Sequence, residues 1–355
     1  MRGVGSLNLR HVAKEAGVHP STVSRAFVRP ELLRPETRAH ILAVAAQLGY
    51  RPNLVARALA KRTIPLVPLI VPDITNPFFA DLARGVEEAA KRRGLHLVLC
   101  DTGQDSEREI DYLEDLLPLQ IPFLIVATWA DDNLAELERR STKTPIVLVD
   151  HVPDGTSLPS VAIDNKLGIH LALDHLNKLG HHSIAFLAGP DKSATADARR
   201  KAYSSWMKAH WRPETVLVGG FGIEAGRQAA DRLLAGNMEV TAIVAANDLA
   251  AIGLMSQLTR ADIRVPEDVS IVGFDDLDLA SYVRPSLTTV HQPVQEIGAE
   301  ALSLALSLLH DETERADHQH VILEPGLVVR ESTAPPPART ERPPPTSLLP
   351  LRDRL

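Results

Sequence analysis

A single cysteine, Cys100, occurs in 355 residues. That excludes an internal disulfide framework and any zinc site built from several cysteines, and Cys100 itself reads as a buried strand-end thiol. No run of about 18 apolar residues is present, so no membrane span is expected. Residues 1–8 have no apolar stretch of the secretory kind, and the expectation is a cytoplasmic chain. A Gly-x-Ser-x-Gly elbow is missing. The His181-His182 pair lacks the i, i+4 spacing of a metal helix and reads as a surface turn. The segment from Gly220 to Ala225 loosely fits a dinucleotide fingerprint, but no clear acid follows on the next strand, so it reads as a glycine-rich helix start. No catalytic set, metal site or cofactor emerges.

Apolar residues make up 45% and charged residues 23% of the chain, the balance of a globular protein long enough for two or three domains. The net charge of −7 conceals a division. Residues 1–62 hold eleven Lys and Arg against three acids, a charge of +8, and the other 293 residues carry −15. A basic head on an acidic body points to a polyanionic partner for the head alone, the alternative being a solvated arginine-rich face.

Four short helices are expected in that head. Leu9, Val12, Ala13 and Ala16 follow i, i+3, i+4, i+7 spacing, with Asn8 as cap and Gly17 as stop. A second helix runs over 20–28, a third over 35–48 and a short fourth opens after Asn53. The first two, joined by a tight turn, form a helix-turn-helix unit, whose second helix begins Pro20-Ser21-Thr22. Small hydroxyls there suit phosphate and base-edge contacts, and Arg25 can reach a guanine.

From residue 66 to about 330, strand-like runs alternate with amphipathic stretches. The runs lie at 66–71, 95–100, 123–127, 146–149, 184–188, 216–218, 242–245 and 269–274. This alternation predicts parallel sheets covered by helices, and eight strands suit two doubly wound lobes with a ligand at the strand carboxyl ends. Asp73, Asp150, Arg199, Asn247 and Asp275 fall at strand ends, where carboxylates, an amide and a guanidinium can hold sugar hydroxyls. Phe78, Trp129 and Phe221 could supply an apolar wall. For any single acid the alternative is a helix cap or an ion pair. Seven prolines in the last 21 residues predict a disordered extension.

The string from Val12 to Val18, followed by Ser21-Thr22-Val23-Ser24-Arg25-Ala26, resembles the helix-turn-helix of the lactose-repressor (LacI/GalR) family of bacterial transcription regulators. Later segments resemble the same family in the same order. They include Leu48-Gly49-Tyr50-Arg51-Pro52-Asn53, Pro72-Asp73-Ile74-Thr75-Asn76-Pro77, Ile163-Asp164-Asn165, Ala246-Asn247-Asp248 and the block from Val265 to Asp275. Pro285 to Pro293 completes the series, so the likeness spans about 7–331. Departures include His11 where an acid is usual, Pro20, and Pro68 where a glycine is common.

The resemblance implies a layout. Residues 1–51 are a small all-α helix-turn-helix domain, 52–65 a hinge helix and linker, and 66–331 a two-lobed α/β core like periplasmic sugar-binding proteins. The first lobe takes 66–161 and 292–322, the second 162–290 and 323–331, and 332–355 is the proline-rich tail. Pro20, Ser21 and Arg25 then face bases in the major groove. His19, Thr22, Ser24, Thr37 and Asn53 lie near phosphates, and Leu59 wedges into the minor groove at the centre of a palindrome. The eight cleft residues named above bind a small effector, a sugar or a relative of one. The implied protein is a homodimer on palindromic operator DNA, a repressor relieved by ligand, with corepression as the alternative. A sugar-binding transport receptor is the competing reading and an enzyme on the same lobes the third.

Overall fold

The computed structural model describes residues 8–28, 30–50, 64–119, 121–129, 131–236, 240–309 and 320–337. The chain divides into two compact units, 1–162 with 294–323 and 163–293 with 324–355, so the backbone passes between them three times.

The head consists of α1 (Leu9–Glu15), α2 (Pro20–Val28) and α3 (Pro35–Gln47). Asn8 caps α1, its side-chain oxygen accepting from the N–H groups of Arg10 and His11. Gly17, at φ +63°, makes the left-handed turn from α1 towards α2 that a side chain would strain. Val12, Ala13, Val23, Ala26, Ile41, Val44 and Ala45 form a small core. His40 Nε2 donates to Ala16 O at 3.2 Å, tying α3 to the turn. The fourth helix and the hinge built on it, with Asn53 and Leu59, fall on residues 51–63, outside the described residues.

Strands and helices then alternate. β1 (Leu66–Val71), α4 (Pro77–Arg92), β2 (His96–Asp101), α5 (Ser106–Leu116), β3 (Leu124–Val126), α6 (Leu134–Ser141), β4 (Ile146–Val149) and β5 (Ser160–Ile163) come first. α7 (Asn165–Lys178), β6 (Ile184–Leu187), α8 (Ala194–Ala209), β7 (Val216–Leu217), α9 (Ile223–Ala235) and β8 (Ala242–Ala245) follow. Next are α10 (Asp248–Arg260), β9 (Ser270–Asp275), α11 (Asp278–Tyr282) and β10 (Thr288–His291). α12 (Val294–Ser307) and β11 (His320–Leu323) return to the first unit, and β12 (Gly326–Val328) to the second.

The first sheet has the order β11-β5-β4-β3-β1-β2 and the second β12-β10-β9-β8-β6-β7. Pairs among β1–β5 and among β6–β10 are parallel, while β12 runs antiparallel to β10. Each sheet therefore repeats one doubly wound topology, with strand order reversing between β1 and β3 and between β6 and β8. Ligands of such folds sit at the carboxyl ends beside that reversal. Pro68 is tolerated within β1 because pairing with β3 covers only Leu69 and Ile70.

Three expectations need correction. Twelve strands, not eight, occur among the described residues; in the additional β5, β10, β11 and β12 the apolar run is broken or bounded by Ser160, Thr288 and His291, His320 and Gly326. His181 is not a surface residue. It is buried, with Nδ1 3.0 Å from Thr241 Oγ1 and Nε2 donating to Ala334 O at 2.8 Å. The extension does not begin at 332 either. Ser332 is fully buried and its carbonyl accepts from Ile271 N at 2.8 Å, while Thr333 Oγ1 meets His175 Nε2 at 3.0 Å. Residues 332–334 thus continue the second unit.

Candidate functional site

The start of α2 presents exposed polar side chains, as do α1 and α3. Val23 and Ala26 point into the core, which turns His19, Ser21 and Arg25 outward and leaves Pro20, Thr22 and Ser24 half-buried. Thr37, in the first turn of α3, is also half-buried. Proline at the first helical position gives up an N–H that would have no partner there. Helix dipole, the exposed Ser21 hydroxyl and Arg25 together suit a polyanion.

In the second unit the strand ends carry a buried polar cluster. Arg199, from the first turns of α8, is 2% exposed. Its Nε donates to Asn165 Oδ1 at 2.8 Å and its Nη1 to Ala246 O at 2.6 Å. The guanidinium lies 3.7 Å over the Phe274 ring, and Nη1 is 3.7 Å from Asp275 Oδ1. Asp275 ends β9 at φ +120° and accepts from Gln292 Nε2 at 2.7 Å. Among the described residues the buried Gln292 Oε1 atom has no hydrogen-bond partner. Asn247 caps α10 through Ala250 N and donates to Phe221 O at 2.8 Å, and the half-buried Phe221 ring packs against Gly189.

Behind this cluster stands a brace on the β9–α11 turn. Asp248 Oδ2 accepts from Leu277 N at 2.8 Å and Oδ1 from Thr289 Oγ1 at 2.6 Å. Burial pushes the Asp248 carboxyl up to about 7, partly offset by these bonds. Asp276, at φ +59°, accepts from Arg330 Nη2 at 2.6 Å and meets His291 Nδ1 at 2.9 Å. Two successive non-glycine residues in the left-handed region require this many restraints.

The strand-end residues of the first unit are arranged differently. Asp73 accepts from Thr75 N, Thr75 Oγ1 and Gln104 Nε2 at 2.9, 2.6 and 3.2 Å, a turn-forming role. Asp150 sits at φ +61°, its N–H bonded to Val161 O. Phe78 is buried edge-on against Phe79, inside the unit. Trp129 is half-buried and its backbone N–H donates to Glu109. Burial raises the Glu109 carboxyl, while Asn133, Thr128 and that N–H lower it.

Asn165, Asp248, Phe274 and Gln292 were not singled out as site residues from the sequence. Each stands inside or beside a family-like segment, which was the available signal. Among the described residues no cluster of three or more His, Cys, Asp or Glu could hold a metal ion, and no helix is long and apolar enough to cross a membrane.

Residues 8–53 match the bacterial regulatory proteins of the lacI family, and residues 173–333 match the periplasmic binding protein-like domain. Over 331 residues the chain is 35% identical to the HTH-type transcriptional regulator DegA of Bacillus subtilis (strain 168), covering 91% of this chain and 97% of that protein. The chain belongs to the LacI family. This LacI-family chain is also 31% identical over 334 residues to the HTH-type transcriptional repressor PurR of Photobacterium profundum, covering 91% and 98% of the two. The solved lac repressor dimer bound to operator and the anti-inducer ONPF superposes with a TM-score of 0.83 at 28% identity, covering 93% of this chain and 100% of that one. A complex of the transcriptional regulator CelR with cellobiose gives 0.69 at 28% identity, covering 92% and 99%. The matched relatives are transcriptional repressors and regulators, and a helix-turn-helix domain followed by a two-sheet α/β core is the LacI-family architecture.

Proposed function

We propose that this chain is a cytoplasmic, sequence-specific transcriptional repressor whose operator affinity is set by a small polyhydroxylated effector. The observation that carries the reading is the exposed start of α2, with His19, Ser21 and Arg25 outward, on a head of charge +8. Pro20, Ser21 and Arg25 face base edges in the major groove. His19, Thr22, Ser24, Thr37 and Asn53 approach phosphates, and Leu59 unstacks the centre of the site. Two heads on a palindrome require a homodimer, the form in which the lac repressor was solved on its operator.

Effector binding is assigned to Arg199, Asn247, Phe221 and Asp275 in the second unit. Gln292 Oε1, buried and unpartnered, gives a hydroxyl donor somewhere to bind. The assignment extends to Asp73, Trp129 and Asp150 at the strand ends of the first unit; Phe78, expected there as an apolar wall, is instead buried in the first turn of α4 against Phe79 and is left out. Effector and operator then influence each other by linkage, each changing the other's affinity by one factor. No turnover is proposed. A sugar-binding transport receptor is the second reading, and the basic head has no part in it.

Selection of bound sequences from random duplex DNA, repeated with a panel of sugars, tests the reading. A palindromic site whose recovery one sugar changes is expected. Recovery of no preferred sequence would overturn it.

A further inference from the structure

We propose that His19 fixes the hydrogen-bonding sense of Ser21, so that α2 selects a base carrying an exocyclic amine. The proposal rests on the DNA-binding reading above. Pro20 has no N–H to give, and the N–H groups of Thr22 and Val23 are taken by His19 O at 2.8 and 3.3 Å. The remaining N–H, that of Ser21, donates to the His19 ring nitrogen Nδ1 at 3.2 Å. The Ser21 hydroxyl lies 2.8 Å from the same nitrogen.

A ring nitrogen that accepts a backbone N–H carries a lone pair and no proton. The ring proton is therefore on Nε2, and the Ser21 hydroxyl must be the donor to Nδ1. Its proton is committed to the imidazole, and only oxygen lone pairs remain for DNA. A free serine rotates its hydroxyl and serves either partner. A latched serine accepts only. In the major groove adenine N6 and cytosine N4 donate, whereas guanine O6 and N7 and thymine O4 accept. Ser21 thus favours an amino base over a keto base on the strand it faces. Pro20 beside it adds no donor to blur that choice, and Arg25, one turn on, supplies the donors for a guanine.

The test is selection from random duplex DNA with the full chain and its His19→Ala, His19→Asn and Ser21→Ala variants. The wild-type chain is expected to favour adenine or cytosine over guanine or thymine at one position per half-site, by roughly threefold to tenfold, the worth of one hydrogen bond. Ser21→Ala should flatten that position alone. His19→Ala should flatten it too while the position lost in an Arg25→Ala control persists, which shows that the head is folded. His19→Asn keeps an acceptor oxygen at the helix start and should retain the amino preference. Should His19→Ala not bind at all, the Asn variant decides: retention supports the latch and loss overturns it. A keto preference at the Ser21-dependent position, or an amino preference untouched by His19→Ala, overturns the latch while leaving DNA binding intact. Failure of the wild-type chain to enrich any sequence removes the DNA-binding reading, and the latch with it.

Discussion

Arg199 is a structural residue, whatever it does for a ligand. Its guanidinium is bonded to Asn165 and Ala246 and packed on Phe274 before any effector arrives. Removing it leaves Asp275 buried without that cation, a situation that costs about 3–5 kcal/mol in proteins. Arg199→Ala should therefore lower the unfolding midpoint clearly, whereas Arg200→Ala, at an exposed Asp197 pair, should shift stability by no more than about 0.5 kcal/mol. Thermal unfolding of both variants checks this, and equal midpoints would contradict it. Asp248 gives a pH signature. Its folded carboxyl titrates near 7 against a usual 3.8, so the native state holds a proton that the unfolded chain has released. Its contribution favours folding at low pH and is lost as pH rises from about 4 to about 7. Asp248→Asn should flatten the fall in melting temperature between pH 5 and pH 8. An unchanged slope would show that Asp248 does not titrate there.

At the scale of elements, close helix crossings are set by glycines. Any Cβ at Gly253 on α10 would fall inside the Ile223 carbonyl at the start of α9, and one at Gly85 on α4 inside the backbone of Gln295 on α12. Gly253→Ala should destabilise by about 1–3 kcal/mol, since backbone cannot step aside as a side chain can. The net loss remains after the roughly 1 kcal/mol of helix propensity gained. Denaturant unfolding measures the net sign, and a stabilised variant would refute the crossing. Most helices and strands were legible in the sequence because their apolar periodicity is local, but β5 and β10 were not, although both lie inside their sheets. The run at 146–149 is buried throughout, as a strand covered on both faces must be. β11 and β12 were not legible, since they are half-exposed and exist through partners far away in sequence. The three prolines at 335–337 suggested an extension, yet Ser332 and Ala334 bond to Ile271 and Ser270, some sixty residues earlier. The site divides in the same way. Arg199, Asn247 and Asp275 came from strand-end position and family likeness, whereas Asp248 and Gln292 act through side chains brought together only by folding.

At the scale of the whole molecule, charge is segregated, +8 on residues 1–62 and −15 on the rest. Operator affinity should fall by about a thousandfold or more between roughly 50 and 200 mM salt if six or more phosphates are contacted. A fluorescence anisotropy titration showing little salt dependence would exclude a phosphate-led interface. The route of the backbone has a further consequence, for synthesis on the ribosome. The first unit lacks α12 and β11 until residue 323 has been made, and the second lacks β12 and Ser332 until later still. The head, with all its described helices within fifty residues, can fold as soon as it leaves the exit tunnel. Both sheets must wait, their edges open, until translation is almost over. A nascent chain of this protein therefore holds a finished DNA-reading head long before it owns either half of the apparatus that would regulate it.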